Sequence, residues 1–207
     1  LFRSPEAEII SVHLSAALSG TYQSAVMAQS MLDHPERVTV IDSKSASYGF
    51  GMYAVEAAKA VMEGKSKEEC LELIQKLQRE TKLYFLVGTL EYLQKGGRIG
   101  KASAVVGSLL NIKPILTIDD DGEVASVEKV RGQKKAMKRI VELLAKDFSG
   151  TEVNICIAHA HCLDLGQELG ALVQEHFQVK ETEYTSIGPV IGTHAGPGTV
   201  AVFMRPA

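Results

Sequence analysis

The chain has 207 residues, enough for one large domain or two small ones. Hydrophobic residues make up 45%, charged residues 23%, and the net charge is −3, a balance ordinary for a soluble globular protein and without the basic footprint of a nucleic-acid binder. No apolar run reaches the roughly 18 residues of a membrane span, the first residues lack a signal-peptide pattern, and three cysteines, an odd number, fit a reducing compartment; the chain reads as cytoplasmic.

The β-branched run 9–14 predicts a strand, followed by a Ser/Gly/Thr turn and a helix over 22–32. Residues 37–42 predict a second strand, which ends in Asp42-Ser43-Lys44-Ser45. A helix over 52–62 follows, with Ala54, Ala57, Ala58 and Val61 spaced for its buried face. Ser66-Lys-Glu-Glu69 has the form of a capping box. It opens a helix to about residue 80, with Leu71, Ile74, Leu77 and Gln78 on one stripe. A strand over 83–87 continues the alternation. Strands alternating with helices predict a parallel sheet covered on both faces.

The second half reads differently. Residues 102–111 predict a short apolar helix. Two strands, 113–118 and 123–128, flank Asp119-Asp-Asp-Gly122, and Asp-Gly is a favoured hairpin turn. Then come a helix over 134–148, a strand over 153–158, a helix over 164–177 and strands over 179–185 and 199–204. A hairpin followed by mixed elements predicts a second α/β domain with a mixed sheet. The two domains are expected to meet near residues 86–97.

Three segments carry candidate chemistry. His194 lies in Ile187-Gly-Pro-Val-Ile-Gly-Thr-His-Ala-Gly-Pro-Gly-Thr-Val200, a run with four glycines and two prolines. Such punctuation predicts a shaped loop, neither helix nor strand. There Thr193 and His194 would offer a hydroxyl, an imidazole and nearby amides. Ser15-Ala-Ala-Leu-Ser-Gly-Thr-Tyr22 follows a strand and leads into a helix. It therefore offers hydroxyls and free amides at a helix start, where an anion is favoured. An ordinary cap by Ser19 or Thr21 is the simpler reading. Tyr92-Leu-Gln-Lys-Gly-Gly-Arg-Ile-Gly100 surrounds Arg98 with glycines, and arginine forks toward carboxylate or phosphate. The run Cys156-Ile-Ala-His-Ala-His161-Cys162 matches no zinc spacing. The Asp119–Asp121 tip lacks a calcium-loop pattern. A Ser/His hydrolase using Ser19 and His194, or another small-acid enzyme, stays open as an alternative, without a nucleophile elbow to support it.

These motifs line up with a family. Ser15–Ser24, Gly88–Gly100 and Gly192–Gly198, with Lys113-Pro-Ile-Leu116 between the last two, resemble the DegV family in that order and over nearly the whole chain. The resemblance implies a bacterial two-domain α/β protein: a parallel-sheet three-layer domain, expected over 1–88, and a mixed-sheet lipid-binding domain, expected over 89–207. It implies a long-chain fatty acid as ligand, no cofactor and no metal. It also implies service as the acyl-binding subunit of a fatty acid kinase. The carboxylate would be held between the domains and presented to a separate ATP-using subunit related to dihydroxyacetone kinases, which makes the acyl phosphate. No catalysis of its own, no nucleic acid and no stable membrane insertion would be expected.

By this similarity Ser19, with Gly20 and Thr21, binds the carboxylate. His194, with Thr193, is the second partner, and Arg98 contacts the head group or the kinase. The acyl chain needs a dry slot, for which Val105, Leu109, Leu110, Ile112, Ile115, Leu116 and Ile118 are the expected liners. Each buried methylene contributes about 0.8 kcal/mol. Ahead of Leu1 the chain shows neither the family's opening strand ending in Asp-Ser nor its Thr-Ser-x-Pro-Ser segment, and it begins without Met. The first domain is therefore expected to lack its N-terminal part.

Overall fold

The computed structural model describes residues 7–107 and 111–207. The chain divides into two units, Leu1–Arg79 and Glu80–Ala207.

In the first unit, β1 (Ile9–His13) and β2 (Val38–Asp42) pair in parallel, with Ile10 opposite Thr39 and Val12 opposite Ile41. The crossover between them contains α1 (Thr21–Ser30). Two further helices, α2 (Tyr48–Met62) and α3 (Lys67–Glu80), bury Met52, Tyr53, Ala57 and Ala60 with Cys70, Ile74 and Leu77. Ile10, Val12 and Ile41 pack against that cluster, because alternation puts them on one face of the two strands. The face of α2 differs from the expected one: Ala54 and Ala58 are exposed, and Val61 is 57% exposed. An alanine-rich stretch carries little apolar area on any side. The bulky Met52 and Tyr53 therefore decide which way the helix turns.

The capping box at the start of α3 is formed. Glu69 N donates to Ser66 Oγ at 3.2 Å, and Ser66 N donates to Glu69 Oε2 at 2.8 Å. Ser66→Ala should cost about 1 kcal/mol. The check is a lower urea midpoint with an unchanged slope.

The second unit holds a six-stranded mixed sheet. Its strands are β3 (Lys82–Leu86), β4 (Ile112–Ile118), β5 (Val124–Arg131), β6 (Val153–His159), β7 (Val179–Ser186) and β8 (Val200–Pro206), in the order β5-β4-β3-β8-β6-β7. Only the β6–β7 pair is parallel. This placement moves the unit boundary from the expected 88/89 to 79/80. From sequence β3 continues the first alternation, yet in the structure it pairs antiparallel with β4 and β8. An apolar run does not reveal which partner it will find, since the pairing is non-local.

One sheet face is covered by α5 (Gln133–Phe148) and α6 (Leu163–His176), around Leu86, Ile115, Met137, Ile140, Leu144, Ile157, Leu169, Val202 and Met204. The opposite face carries Leu116, Phe85, Ala201 and Ala158 in one row, opposite one another across four strands and all buried. The β4–β5 turn closes through Asp119 N to Glu123 O (2.9 Å) and Gly122 N to Asp119 O (2.8 Å), with Gly122 at φ 82°. Lys101 pairs with Asp119 at 2.7 Å and with Asp121, so a lysine answers the acidic tip. In place of the expected helix over 102–111, a 3-10 turn spans Gly100–Val105; Leu109 and Leu110 lie outside the described residues. Among the described residues no helix is long and apolar enough to cross a membrane.

Candidate functional site

In the first unit, the segment after β1 is tied down by its neighbours. Ser15 is buried; its amide donates to Ser45 O at 2.8 Å, and the Asp42 carboxylate accepts from Ala16 N at 3.1 Å and Lys44 N at 3.0 Å. Asp42 therefore organises the carboxyl ends of β1 and β2, a role not assigned to it from sequence. Its place as the last residue of a parallel strand was the available signal. Gly20 is the N-cap of α1 at φ −72° and gives no side-chain cap. Ser19 Oγ accepts from Thr21 N at 3.3 Å, which leaves the serine proton for donation. The first turn of α1 has no acidic side chain of its own to offset the partial positive charge of the helix start.

In the second unit, His194 does not sit in an irregular loop. It lies in the last turn of α7 (Pro189–Ala195). Apart from Gly192, which lies inside it, the glycines and prolines frame this short helix rather than abolish it. Gly188 is the N-cap, Pro189 takes the first helical position where its missing N–H costs nothing, and Gly196 stops the helix at φ 79°. Thr193 Oγ1 donates to Pro189 O at 2.8 Å, so its proton is directed into the helix. Thr199 Oγ1, buried, lies 2.9 Å from both Ala195 O and Gly196 O, answering the carbonyls at the helix end.

The Gly88–Gly100 segment meets α7 through missing side chains. It forms α4 (Glu91–Lys95), followed by the turn Gly96-Gly97-Arg98 with Gly97 at φ 66°. The His194 ring lies on Gly96, the Tyr92 ring lies on Gly196, and a Cβ on Gly88 would come 2.6 Å from Pro197 O. Three glycines that look like loop punctuation are thus contact points between two motifs. Arg98 is exposed; its amide donates to Leu93 O at 2.9 Å and its Nη1 to Gly96 O at 2.9 Å. The guanidinium is carried on a closed turn.

Beside α4 is a cavity of about 430 Å³, lined by Val87, Leu90, Val105, Ile112 and Pro114 with Gln94 and Lys113 among the polar groups. Lys113 Nζ donates to Gly88 O at 2.9 Å. Of the expected slot liners, Val105 and Ile112 line this cavity. Ile115 belongs to the packed core, and Leu116 faces the other way on the buried row. Lys113 and Tyr92 were not singled out individually from sequence, since a lysine in a strand and a tyrosine before a turn have many ordinary uses.

The cysteine–histidine run resolves into packing. Cys156 is buried, and burial, aided by Glu183, pushes its thiol up to about 12. Cys162 donates to Thr199 O at 3.2 Å, and burial raises it as well. Protonated thiols are poor ligands and nucleophiles. Among the described residues no group of three or more His, Cys, Asp or Glu is arranged to hold a metal ion.

The DegV family model, whose description reads "uncharacterised protein, DegV family", matches residues 2–207. A DegV domain-containing protein of Halalkalibacterium halodurans is 39% identical over 195 residues, which cover 94% of this chain and 68% of that protein. The structure of a DegV family protein from Thermus thermophilus, described for its fatty acid binding, superposes with a TM-score of 0.90 at 36% identity, over 97% of this chain and 71% of that one. DegV from Bacillus subtilis, described as a fatty acid binding protein, gives 0.82 at 34% identity over 97% and 71%. Family model, sequence relatives and fold agree over 94% or more of the chain: it belongs to the DegV family.

Proposed function

We propose that this chain binds a long-chain fatty acid and does no chemistry on it. The observation that carries this reading is the superposition, at a TM-score of 0.90 and 36% identity, on a relative described as binding fatty acid. The carboxylate partners are Ser19, through its hydroxyl proton, with Gly20 and Thr21, and His194 with Thr193; the Thr21 amide exchanges its bond to Ser19 Oγ, and the Thr193 hydroxyl its bond to Pro189 O, for the ligand. A buried carboxylate needs such donors because desolvation without them is costly. The cavity of about 430 Å³, lined by Val87, Leu90, Val105, Ile112 and Pro114 and by none of these carboxylate partners, falls in the range of about 300–1,000 Å³ common for small-ligand sites.

The hydrolase alternative is disfavoured by one feature of His194. A catalytic base is normally oriented by an acid on its second ring nitrogen. Here Nδ1 is buried with no hydrogen-bond partner among the described residues.

The further step in this proposal is presentation of the carboxylate to a dihydroxyacetone-kinase-like subunit of a fatty acid kinase, with the exposed Arg98 as the contact. Titration with palmitate tests the binding half. His194→Ala should weaken affinity about 10–100-fold and Ser19→Ala about 10-fold, the worth of hydrogen bonds to a charged group. Arg98→Ala should retain palmitate and lose acyl-phosphate formation when the kinase subunit and ATP are supplied. Palmitate affinity unchanged in both His194→Ala and Ser19→Ala would count against the assigned partners.

A further inference from the structure

The imidazole of His194 is held by one edge. Nδ1 is buried without a hydrogen-bond partner among the described residues. That edge lies on Gly96: a Cβ built there would overlap Nδ1 and come 3.1 Å from Cε1. The backbone of Gly96 is already engaged. Its amide donates to Tyr92 O at 2.9 Å, and its carbonyl accepts from Arg98 Nη1 at 2.9 Å. Tyr92 in turn packs its ring on Gly196, just past the end of α7. The histidine is therefore clasped between the Gly-Gly-Arg turn and its own helix end.

We infer that Gly96 is a positioning residue for His194: the absence of a side chain at Gly96 seats the Nδ1 edge of the ring and leaves Nε2 as the protonated nitrogen. The reason is the accounting of buried polar groups. A proton on Nδ1 would bury an N–H with no acceptor, whereas a bare lone pair there is the less costly orphan. The neutral ring then has one donor, Nε2–H, on a side chain that is only half-buried. This rests on the reading of His194 as a carboxylate partner. It adds which nitrogen donates and why a glycine must stand at position 96. An alanine at 96 would push the ring away, with no change to any group that itself touches the ligand.

The test uses the full chain, isotope-labelled, with palmitate and hexadecanol as probes. Proton–nitrogen correlation spectra of the ligand-free chain should show His194 as the Nε2–H tautomer. Gly96→Ala should weaken palmitate about tenfold, as expected for a misplaced charge-assisted hydrogen bond. Hexadecanol should stay within about twofold, because it lacks the carboxylate. In a His194→Ala background the same Gly96→Ala change should alter neither probe, since no ring remains to be displaced.

A second pair of variants does not depend on Gly96→Ala folding. His194→Gln places an amide N–H near the Nε2 position, and His194→Asn places one near Nδ1, so the glutamine should keep more palmitate affinity. An Nδ1–H tautomer in the unmodified chain, equal losses of acid and alcohol in Gly96→Ala, or asparagine outperforming glutamine would each overturn the inference. An unmodified chain that binds neither probe would instead contradict the fatty-acid reading, while the tautomer would still decide the role of Gly96.

Discussion

Replacing Gly196 with alanine should destabilise the second unit by about 2–4 kcal/mol. Two independent causes add. Gly196 has φ 79° and ψ 167°, a region open essentially to glycine alone. A Cβ there would also meet Tyr92, 2.6 Å from Cγ and 2.9 Å from Cε2. Urea denaturation separates the causes. Tyr92→Ala combined with Gly196→Ala should recover the overlap part and leave the backbone part. Gly188 is the internal control: it has φ −63° and nothing within 4 Å of a built Cβ. Gly188→Ala should therefore stay within about 0.5 kcal/mol. Equal effects at the two glycines would mean that Gly196 does not seat the Tyr92 ring of α4 against the end of α7.

Leu144→Ala should cost about 2–5 kcal/mol, the range for emptying a packed leucine site. Leu144 is completely buried, in the cluster α5 and α6 form against the sheet. The site is enclosed by other apolar side chains of that cluster, so transfer and cavity terms both count. Met62→Ala is the contrast: Met62 ends α2 and is 88% exposed, and its loss should fall within about 0.5 kcal/mol. Thermal unfolding with both variants measures the difference. A Leu144→Ala change as mild as Met62→Ala would mean that α5 and α6 do not close a packed core over the sheet.

What the sequence disclosed follows the range of the interactions. The Ser66–Glu69 box and the Asp-Gly hairpin depend on residues within a few positions of each other, and both form as read. The strand at 83–87 was visible, but its partners were not. β4 begins at Ile112 and β8 at Val200, and nothing near β3 selects them. The buried face of α2 escaped because four alanines give a helix no decisive side. The His194 run misled in a more instructive way. Its glycines and prolines suggest breakers, whereas Pro189 at the start and Gly196 just beyond the end stand where residues bound a helix. Ser19, Arg98 and His194 could be chosen by residue type and setting. The contacts of Gly88, Gly96 and Gly196 could not, since a missing side chain leaves no chemical signal of what fills its place.

The claim that this chain carries a fatty acid is tested most directly by what comes out of it. Protein purified from bacterial expression is denatured, extracted with organic solvent and analysed by mass spectrometry, then re-exposed to palmitate. Long-chain fatty acid close to one equivalent per chain is expected, or stoichiometric uptake of added palmitate after delipidation, with both reduced in His194→Ala. A clean extract from protein that also takes up no palmitate would contradict it.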